Sequence, residues 1–276
     1  MLNTTRPPAV AGSFYPANPA QLLSTLDGFF AAPPSPLPAQ PKALILPHAG
    51  YVYSGSTAAR GYAALAPWAA TIRRVVLLGP THRVAVNGLA LPEAGVFATP
   101  LGNIRIDPQA VEALAGLPQV VCSDRVHAAE HSLEVHLPFL QRVLGEFTLL
   151  PLAVGNASPA AVAEVLERVW GGPETLIVVS ADLSHFHPYA SAQQLDRHTC
   201  QRILDYATDL RPEETCGAFP LNGLLLAARR HALQAHLLTL CNSGDTAGDR
   251  QRVVGYAAFA LCPQASPTNV PEIQND

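Results

Sequence analysis

Apolar residues in this chain are grouped into short runs that are hydrophobic at nearly every position, not at every second one. Six runs predict β-strands, over residues 43–47, 74–79, 147–154, 175–181, 236–240 and 253–261. A strand that is apolar throughout is typical of a sheet that other layers cover on both faces. The pattern therefore predicts a buried central sheet.

Helix signals lie between these strands. Asn18, Asp107 and Ser158 are each followed by a proline, a pairing that is typical of a capped first helical turn. Further helices are predicted over residues 55–65, 129–144, 192–206 and 221–231. The alternation predicts a single α/β domain with a largely parallel or mixed central sheet and helices on both faces. Ligands of such folds bind beyond the carboxyl ends of the strands.

The composition is that of a folded domain. The chain has 276 residues, of which 49% are apolar and 14% are charged. This apolar content is enough for a large core and excludes a disordered chain. We expect one domain over residues 1–262. Residues 263–276 are polar and without periodicity, so they are predicted to form a frayed or disordered tail.

Charge and cysteine content narrow the class of protein and the compartment. The net charge is −4 without a basic block, so nucleic acid is not an expected partner. No apolar run reaches the roughly 20 residues of a membrane span, and the first residues do not resemble a signal peptide. The five scattered cysteines form no C-x-x-C pair, which predicts a cytoplasmic protein. Four of them have no ligand partner at useful spacing and are expected to pack in the interior: Cys122, Cys200, Cys216 and Cys262.

Four predicted strands are followed by residues that can bind a metal or move a proton. These residues are His48, His82, Cys241, Asp182 and His185. If the strands are parallel, their carboxyl ends open into one crevice. Two imidazoles and a thiolate suit borderline and soft transition metals and leave coordination positions open. Taken singly, a histidine after a strand is more often a turn residue, and a cysteine there is more often a buried apolar residue.

Six longer motifs follow one another over residues 6–261. They are GSFYP at 12–16, PHAGYVYSG at 47–55, GPTH at 79–82, EHSLEVHLPFL at 130–140, SADLSHF at 180–186 and CNSGDT at 241–246. Together they resemble the Memo family, whose bacterial members are named AmmeMemoRadiSam system protein B after a genomic association with a radical SAM protein. That family is similar in fold to the B subunit of class III extradiol dioxygenases, which bind iron(II) with two histidines and one glutamate.

The resemblance implies a site and a class of activity. His48, His82 and Cys241 would hold iron(II) or copper, with the cysteine at the position of the dioxygenase glutamate. His185 would serve as acid/base, and Asp182 would position it. The protein would then be a metal-dependent redox enzyme that acts on a small molecule or peptide, with a radical SAM protein as partner. Because a thiolate is softer than a carboxylate, ring-opening dioxygenation does not follow from the fold alone.

An alternative is a function without catalysis. Eukaryotic members of the family are described as signalling adaptors that bind phosphotyrosine peptides. By resemblance, the chain would be an adaptor or metal-buffering protein with a peptide-binding cleft. Such a cleft needs a cation, and Arg83, next to His82, is the best candidate.

The segment from His127 to His136 is rich in histidine and glutamate. On a helix, His127 and His131 would share a face, as in some zinc sites. Its leucines, however, form an ordinary core stripe. We therefore favour hydrogen bonds from Glu130 and His131 to neighbouring groups of the cleft over a second metal site.

Overall fold

The structure is a computed structural model that describes residues 2–264. Its strands are β1 Leu2–Arg6, β2 Ala43–Leu46, β3 Arg74–Pro80, β4 Leu89–Leu91, β5 Ala94–Thr99, β6 Gly102–Ile106, β7 Val120–Cys122, β8 Thr148–Val154, β9 Thr175–Ser180, β10 His185–His187, β11 Leu233–Asn242 and β12 Val253–Pro263. Its helices are α1 Pro19–Phe30, α2 Tyr51–Ala63, α3 Pro108–Ala113, α4 Asp124–Ala128, α5 Leu137–Leu144, α6 Pro159–Val169, α7 Tyr189–Leu204 and α8 Ala218–Arg230.

These strands form one mixed sheet, as the sequence predicts. Its middle has the order β8-β3-β9-β2-β12. The first four of these strands are parallel, and β12 is antiparallel both to β2 and to β11 on its other side. It follows that β11 runs in the same direction as β2. The carboxyl ends of β2, β3, β9 and β11 therefore lie at one edge of the sheet.

Each face of the sheet carries its own hydrophobic core. Leu44 and Leu46 of β2 pack into one core with α1, α2 and α5. Ala43 and Ile45 pack into the other, with α6 and α8. Since successive side chains of a strand point to opposite faces, a strand between two cores must be apolar at every position. The uniformly apolar runs therefore mark the central strands, apart from residues 236–240, which lie on the half-buried edge strand β11.

The predicted helix caps are present. The side chains of Asn18, Asp107 and Ser158 accept backbone hydrogen bonds in the first turns of α1, α3 and α6. Each cap satisfies an N–H group that has no partner within the helix. The domain has no helix, within residues 2–264, with the length and apolar content that crossing a bilayer requires.

The predicted helix over residues 129–144 is wrong. After α4 ends at Ala128, the chain there forms a loop, a 3₁₀ turn over Glu134–His136, and only then α5. Pro138 lies in the first turn of α5, where a missing N–H costs nothing; further into a helix it would break the hydrogen-bond ladder. The Glu130 carboxylate accepts the backbone N–H groups of His131 and Ser132, which holds this segment as a loop.

The predicted end of the domain, residue 262, falls one residue before the end of β12. Pro263, predicted as the start of the tail, is the last residue of β12. Of the rest of the predicted tail, residue 264 follows β12, and residues 265–276 lie outside the described residues.

Candidate metal centre

Three histidines meet where the central strands end. His48 lies two residues beyond β2, and His82 lies two residues beyond β3. His131 comes from the loop between α4 and the 3₁₀ turn. The ring centroids of His48 and His82 are 5.1 Å apart, and those of His82 and His131 are 4.6 Å apart. One ligand atom of each residue lies within 4.8 Å of the others, and no second such group occurs in residues 2–264.

The hydrogen bonds around His48 determine which of its nitrogens is protonated. Ser180 Oγ donates to the Ser132 carbonyl oxygen at 2.7 Å, so it can only accept from Nδ1 of His48, 2.6 Å away. Nδ1 therefore carries the proton, and Nε2 keeps its lone pair. Burial, with smaller contributions from His82 and His131, holds the pKa of His48 well below its usual range. The ring is neutral at physiological pH.

Glu130 fixes the ring proton of His82, as Ser180 does for His48. Its Oε1 accepts from Nδ1 of His82 at 2.9 Å, and its Oε2 accepts from the His82 backbone N–H at 2.6 Å. Burial alone would raise the pKa of Glu130, but the hydrogen bonds from His82 and Ser132 outweigh it and lower the pKa to about 2. The carboxylate is thus ionised, and it leaves Nε2 of His82 free to bind a metal.

His131 brings a ring nitrogen without a hydrogen bond. Its buried Nδ1 has no partner among the described residues and lies 3.4 Å from Oε1 of Glu130. The ring packs against Phe14, with 4.7 Å between centroids. Burial and the neighbouring His82 lower the pKa of His131 to about 4. A neutral imidazole with an unpaired buried nitrogen, beside the rings of His48 and His82, fits a transition metal.

Asp182 and His185 lie at the border of this group. Asp182 lies two residues beyond β9, the strand between β2 and β3; its Oδ1 accepts the His48 backbone N–H at 2.8 Å. Its Oδ2 is 4.0 Å from Nε2 of His48, and burial raises the pKa of Asp182 to about 7. His185 is close enough to His82 for the two charges to interact, and burial lowers the pKa of His185.

Cys241, the third predicted ligand, lies at the same edge but is not a member of the three-histidine group. It lies on β11, and β12 separates that strand from β2. Neighbouring strands are about 4.8 Å apart, so the backbones of β2 and β11 are separated by roughly 10 Å. Its Sγ is 2.9 Å from Oγ1 of Thr57 on α2. Cys241 therefore stays a predicted ligand.

A different cysteine contacts the histidine group. Cys216, in the segment before α8, has its Sγ 3.3 Å from Nε2 of His48. Sequence reasoning missed it because it follows no predicted strand and has no ligand at a short spacing. The sequence predicts His131 only as a hydrogen-bonding residue of the cleft, because the helix predicted over residues 129–144 hides its place in a loop.

The fold and the site define an α/β protein with a histidine cluster at the carboxyl edge of a mixed sheet. A family model described as Memo-like protein matches residues 6–260. The MEMO1 family protein MK0963 of Methanopyrus kandleri is 36% identical, covering 93% of this chain and 98% of its own. The MEMO1 family protein TV1383 of Thermoplasma volcanium is 34% identical, with 94% and 99% covered. The chain belongs to the Memo family, as its motifs predict.

A solved structure is also similar, although more distantly. The uncharacterized protein JW3007 from Escherichia coli K12 aligns with 79% of this chain and 98% of its own, at 14% identity and a TM-score of 0.49. A similarity of this size carries no information about the site.

Proposed function

We propose that this protein binds one transition-metal ion, iron(II) or copper, at the histidine cluster and uses it in a redox reaction. One observation carries the proposal: three imidazoles converge with their ligand atoms within 4.8 Å of one another. In two of them, a hydrogen-bond acceptor holds the proton on Nδ1 and leaves Nε2 available. This arrangement of an acceptor behind each ligand is usual in protein metal sites.

Three imidazole ligands suit a catalytic transition metal. Imidazole nitrogen binds iron, copper and zinc well, and three protein ligands leave positions for water or substrate. The lowered pKa values of His48 and His131 mean that protons do not compete with the metal for these rings near pH 7. When bound, the metal would supply electron transfer and polarisation of a substrate oxygen.

Two residues are candidates for the third metal ligand. Proximity favours His131, and the family resemblance implies Cys241. An imidazole would give a site of three neutral nitrogens, whereas a thiolate would make it softer and more negative. The two arrangements differ in metal preference, so the ligand can be identified by experiment.

Proton transfer is assigned to Asp182 and His185. A pKa of about 7 lets Asp182 donate or accept a proton at neutral pH, which is what a general acid/base requires. Its Oδ1 is engaged with the His48 backbone, so Oδ2 is the atom that would exchange the proton. The imidazole of His185 is a second ionisable group near the cluster.

Anaerobic metal analysis of reconstituted protein tests the metal site. We expect about one metal ion per chain in the wild type and in the control His198→Ala, an exposed residue on α7. His48→Ala and His82→Ala should lose the metal. Loss in His131→Ala or in Cys241→Ala identifies the third ligand. Full occupancy in His48→Ala would refute the site.

The redox activity needs a separate test. With dioxygen supplied as the oxidant, metal-loaded protein should oxidise substrates of the catechol class, and Asp182→Asn should lower the rate while the metal content stays unchanged. Complete inactivity toward catechols with the metal fully bound would reject kinship of function with the extradiol dioxygenases. The radical SAM partner stays a prediction, which copurification of the two proteins would test.

A further inference from the structure

Tyr62 and His136 form a hydrogen-bonded pair in the interior of the domain. The Tyr62 hydroxyl lies 2.9 Å from Nδ1 of His136, and both side chains are fully buried. Nε2 of His136 has no partner among the described residues. If the hydroxyl donates to Nδ1, only the Nε2–H group stays unpaired, whereas the reverse arrangement leaves both the hydroxyl hydrogen and Nε2 unpaired. Because each unpaired buried group costs free energy, the hydroxyl is the donor.

This pair lies close to the histidine cluster. Tyr62 follows Gly61, and an added Cβ on that glycine would lie 2.3 Å from Cδ2 of Leu46. Leu46 in turn is two residues before His48. From the other side, His136 is near enough to His48 for the charges of the two rings to interact. An electron therefore has a short path, through packed side chains, from the phenol of Tyr62 to a metal ion bound by His48.

Tyr62 differs from two neighbouring buried tyrosines in the group that accepts its hydroxyl proton. Tyr51 donates to the carbonyl oxygen of Val135, and Tyr15 donates to Glu134. A backbone carbonyl is a much weaker base than an imidazole, and the Glu134 carboxylate already accepts three further hydrogen bonds. Of the three tyrosines, Tyr62 is the one whose hydroxyl faces a ring nitrogen with a free lone pair.

The surroundings couple any oxidation of Tyr62 to the transfer of its proton. Burial raises the pKa of Tyr62 well above its usual range, so the phenolate does not form first. Burial lowers the pKa of His136 to about 3, so the ring is neutral and Nδ1 is able to accept. The ring of Phe139 stacks on Tyr62 with 5.3 Å between centroids, and no solvent reaches the hydroxyl. A phenol that has lost an electron is a strong acid, so its proton moves to Nδ1.

We propose that Tyr62 is a one-electron donor to the candidate metal centre and that His136 holds its proton. The metal ion, once oxidised by dioxygen or a peroxide, takes one electron from Tyr62 and returns to its lower oxidation state. The phenolic O–H bond breaks, the proton moves to Nδ1 of His136, and a neutral tyrosyl radical remains. A thiolate reductant then supplies one electron, and the proton returns from His136. The inference rests on the proposed metal site and adds to it a second redox group.

Electron paramagnetic resonance of rapidly frozen samples tests this proposal. Protein loaded with iron(II), or with copper(I) if it does not bind iron, would be mixed with hydrogen peroxide after its metal content is measured. We expect a tyrosyl signal in the wild type that narrows when the tyrosine rings are deuterated. Tyr62→Phe should lose the signal, and Tyr51→Phe, the matched buried control, should keep it. In His136→Gln the radical should form more slowly, and its formation in the wild type should slow in deuterated water.

The outcomes separate this inference from the proposed function. A wild type that binds neither iron nor copper would refute the metal site and this inference with it. A fully loaded wild type without a tyrosyl signal, or an unchanged signal in Tyr62→Phe, would overturn only the role of Tyr62. If Tyr62→Phe fails to fold, wild type with isotopically labelled histidine decides. Electron–nuclear double resonance should then show the radical coupled to a histidine nitrogen, and a radical without this coupling would reject the proposal.

Discussion

At the scale of single residues, the acceptors behind the histidines decide what the site can do. Ser180 and Glu130 each accept a hydrogen bond from Nδ1 of a cluster histidine, which fixes the proton there and leaves Nε2 without one. Glu130 also accepts the N–H groups of the loop that carries His131. A single carboxylate therefore orients one potential ligand and shapes the loop of another.

We expect Glu130→Gln to weaken metal binding by roughly 10–100-fold, the usual effect of losing such a partner. An amide has one acceptor atom in place of two, so its NH₂ group would face an N–H donor of His82 or of the 131–132 backbone. Isothermal titration with zinc measures the change. Glu112→Gln, on the exposed side of α3, is the control and should bind as the wild type does. Equal affinities for the two variants would contradict this role of Glu130.

Asp182 gives a pH dependence of stability in the metal-free protein. Its pKa is about 7 in the fold against 3.8 when unperturbed, so between these values the folded state holds a proton that the unfolded state has lost. The free energy of unfolding must therefore fall as the pH rises through this window. Asp182→Asn removes the ionisation and keeps the acceptor for the His48 N–H.

We expect the stability of Asp182→Asn, relative to wild type, to improve by on the order of 2 kcal/mol from pH 5 to pH 8. Urea unfolding in the presence of a chelator measures it. The exposed Asp205→Asn should show no such trend. A constant difference between Asp182→Asn and wild type across this range would show that the carboxyl is already ionised in the fold.

At the scale of elements, sequence reasoning succeeded where the pattern is local. All six predicted strands exist; in five of them burial on both faces demands apolar residues throughout, whereas β11 is an edge strand that is mostly half-buried. The other six strands, β1, β4 to β7 and β10, were missed, because they have three to six residues and most of them do not form a continuous apolar run. The order of strands is not local either, and it places β12 between β2 and β11. Consequently His48 and His82 were correctly predicted to lie close together, whereas the approach of Cys216 to His48 could not be predicted from the sequence.

Two helical glycines differ in the space that an added Cβ would find. A Cβ on Gly61 of α2 would lie 2.3 Å from Cδ2 of Leu46, whereas one on Gly28 of α1 would meet nothing within 4 Å. Alanine is better than glycine in a helix by about 1 kcal/mol, and overpacking a core costs about 1–3 kcal/mol.

We expect Gly28→Ala to stabilise the protein by about 0.5–1 kcal/mol. Gly61→Ala should destabilise it, because Leu46 is fully buried and its side chain would have to shift within the core. Chemical denaturation of both variants gives the comparison. Stabilisation by Gly61→Ala would show that the contact between α2 and β2 is looser than described.

At the scale of the whole molecule, the candidate ligands belong to segments far apart in sequence. His48, His82 and His131 are brought together only when β2, β3 and the 129–133 loop are all in place. The unfolded chain has no such site, so a metal that binds the cluster binds the folded state preferentially. Metal affinity and global stability must then be linked.

This linkage predicts a thermal shift of known size. At a free zinc concentration 100 times the dissociation constant, binding adds about 2.7 kcal/mol to the free energy of unfolding. For a domain of this size, that corresponds to a rise in Tm of roughly 5–10 °C. Scanning calorimetry of chelator-treated wild type, with and without zinc, measures it. His48→Ala should show almost no shift, while His198→Ala should shift as the wild type does. An equal shift in His48→Ala would mean that zinc stabilises the fold from elsewhere, because loss of the most buried imidazole must weaken any site built around it.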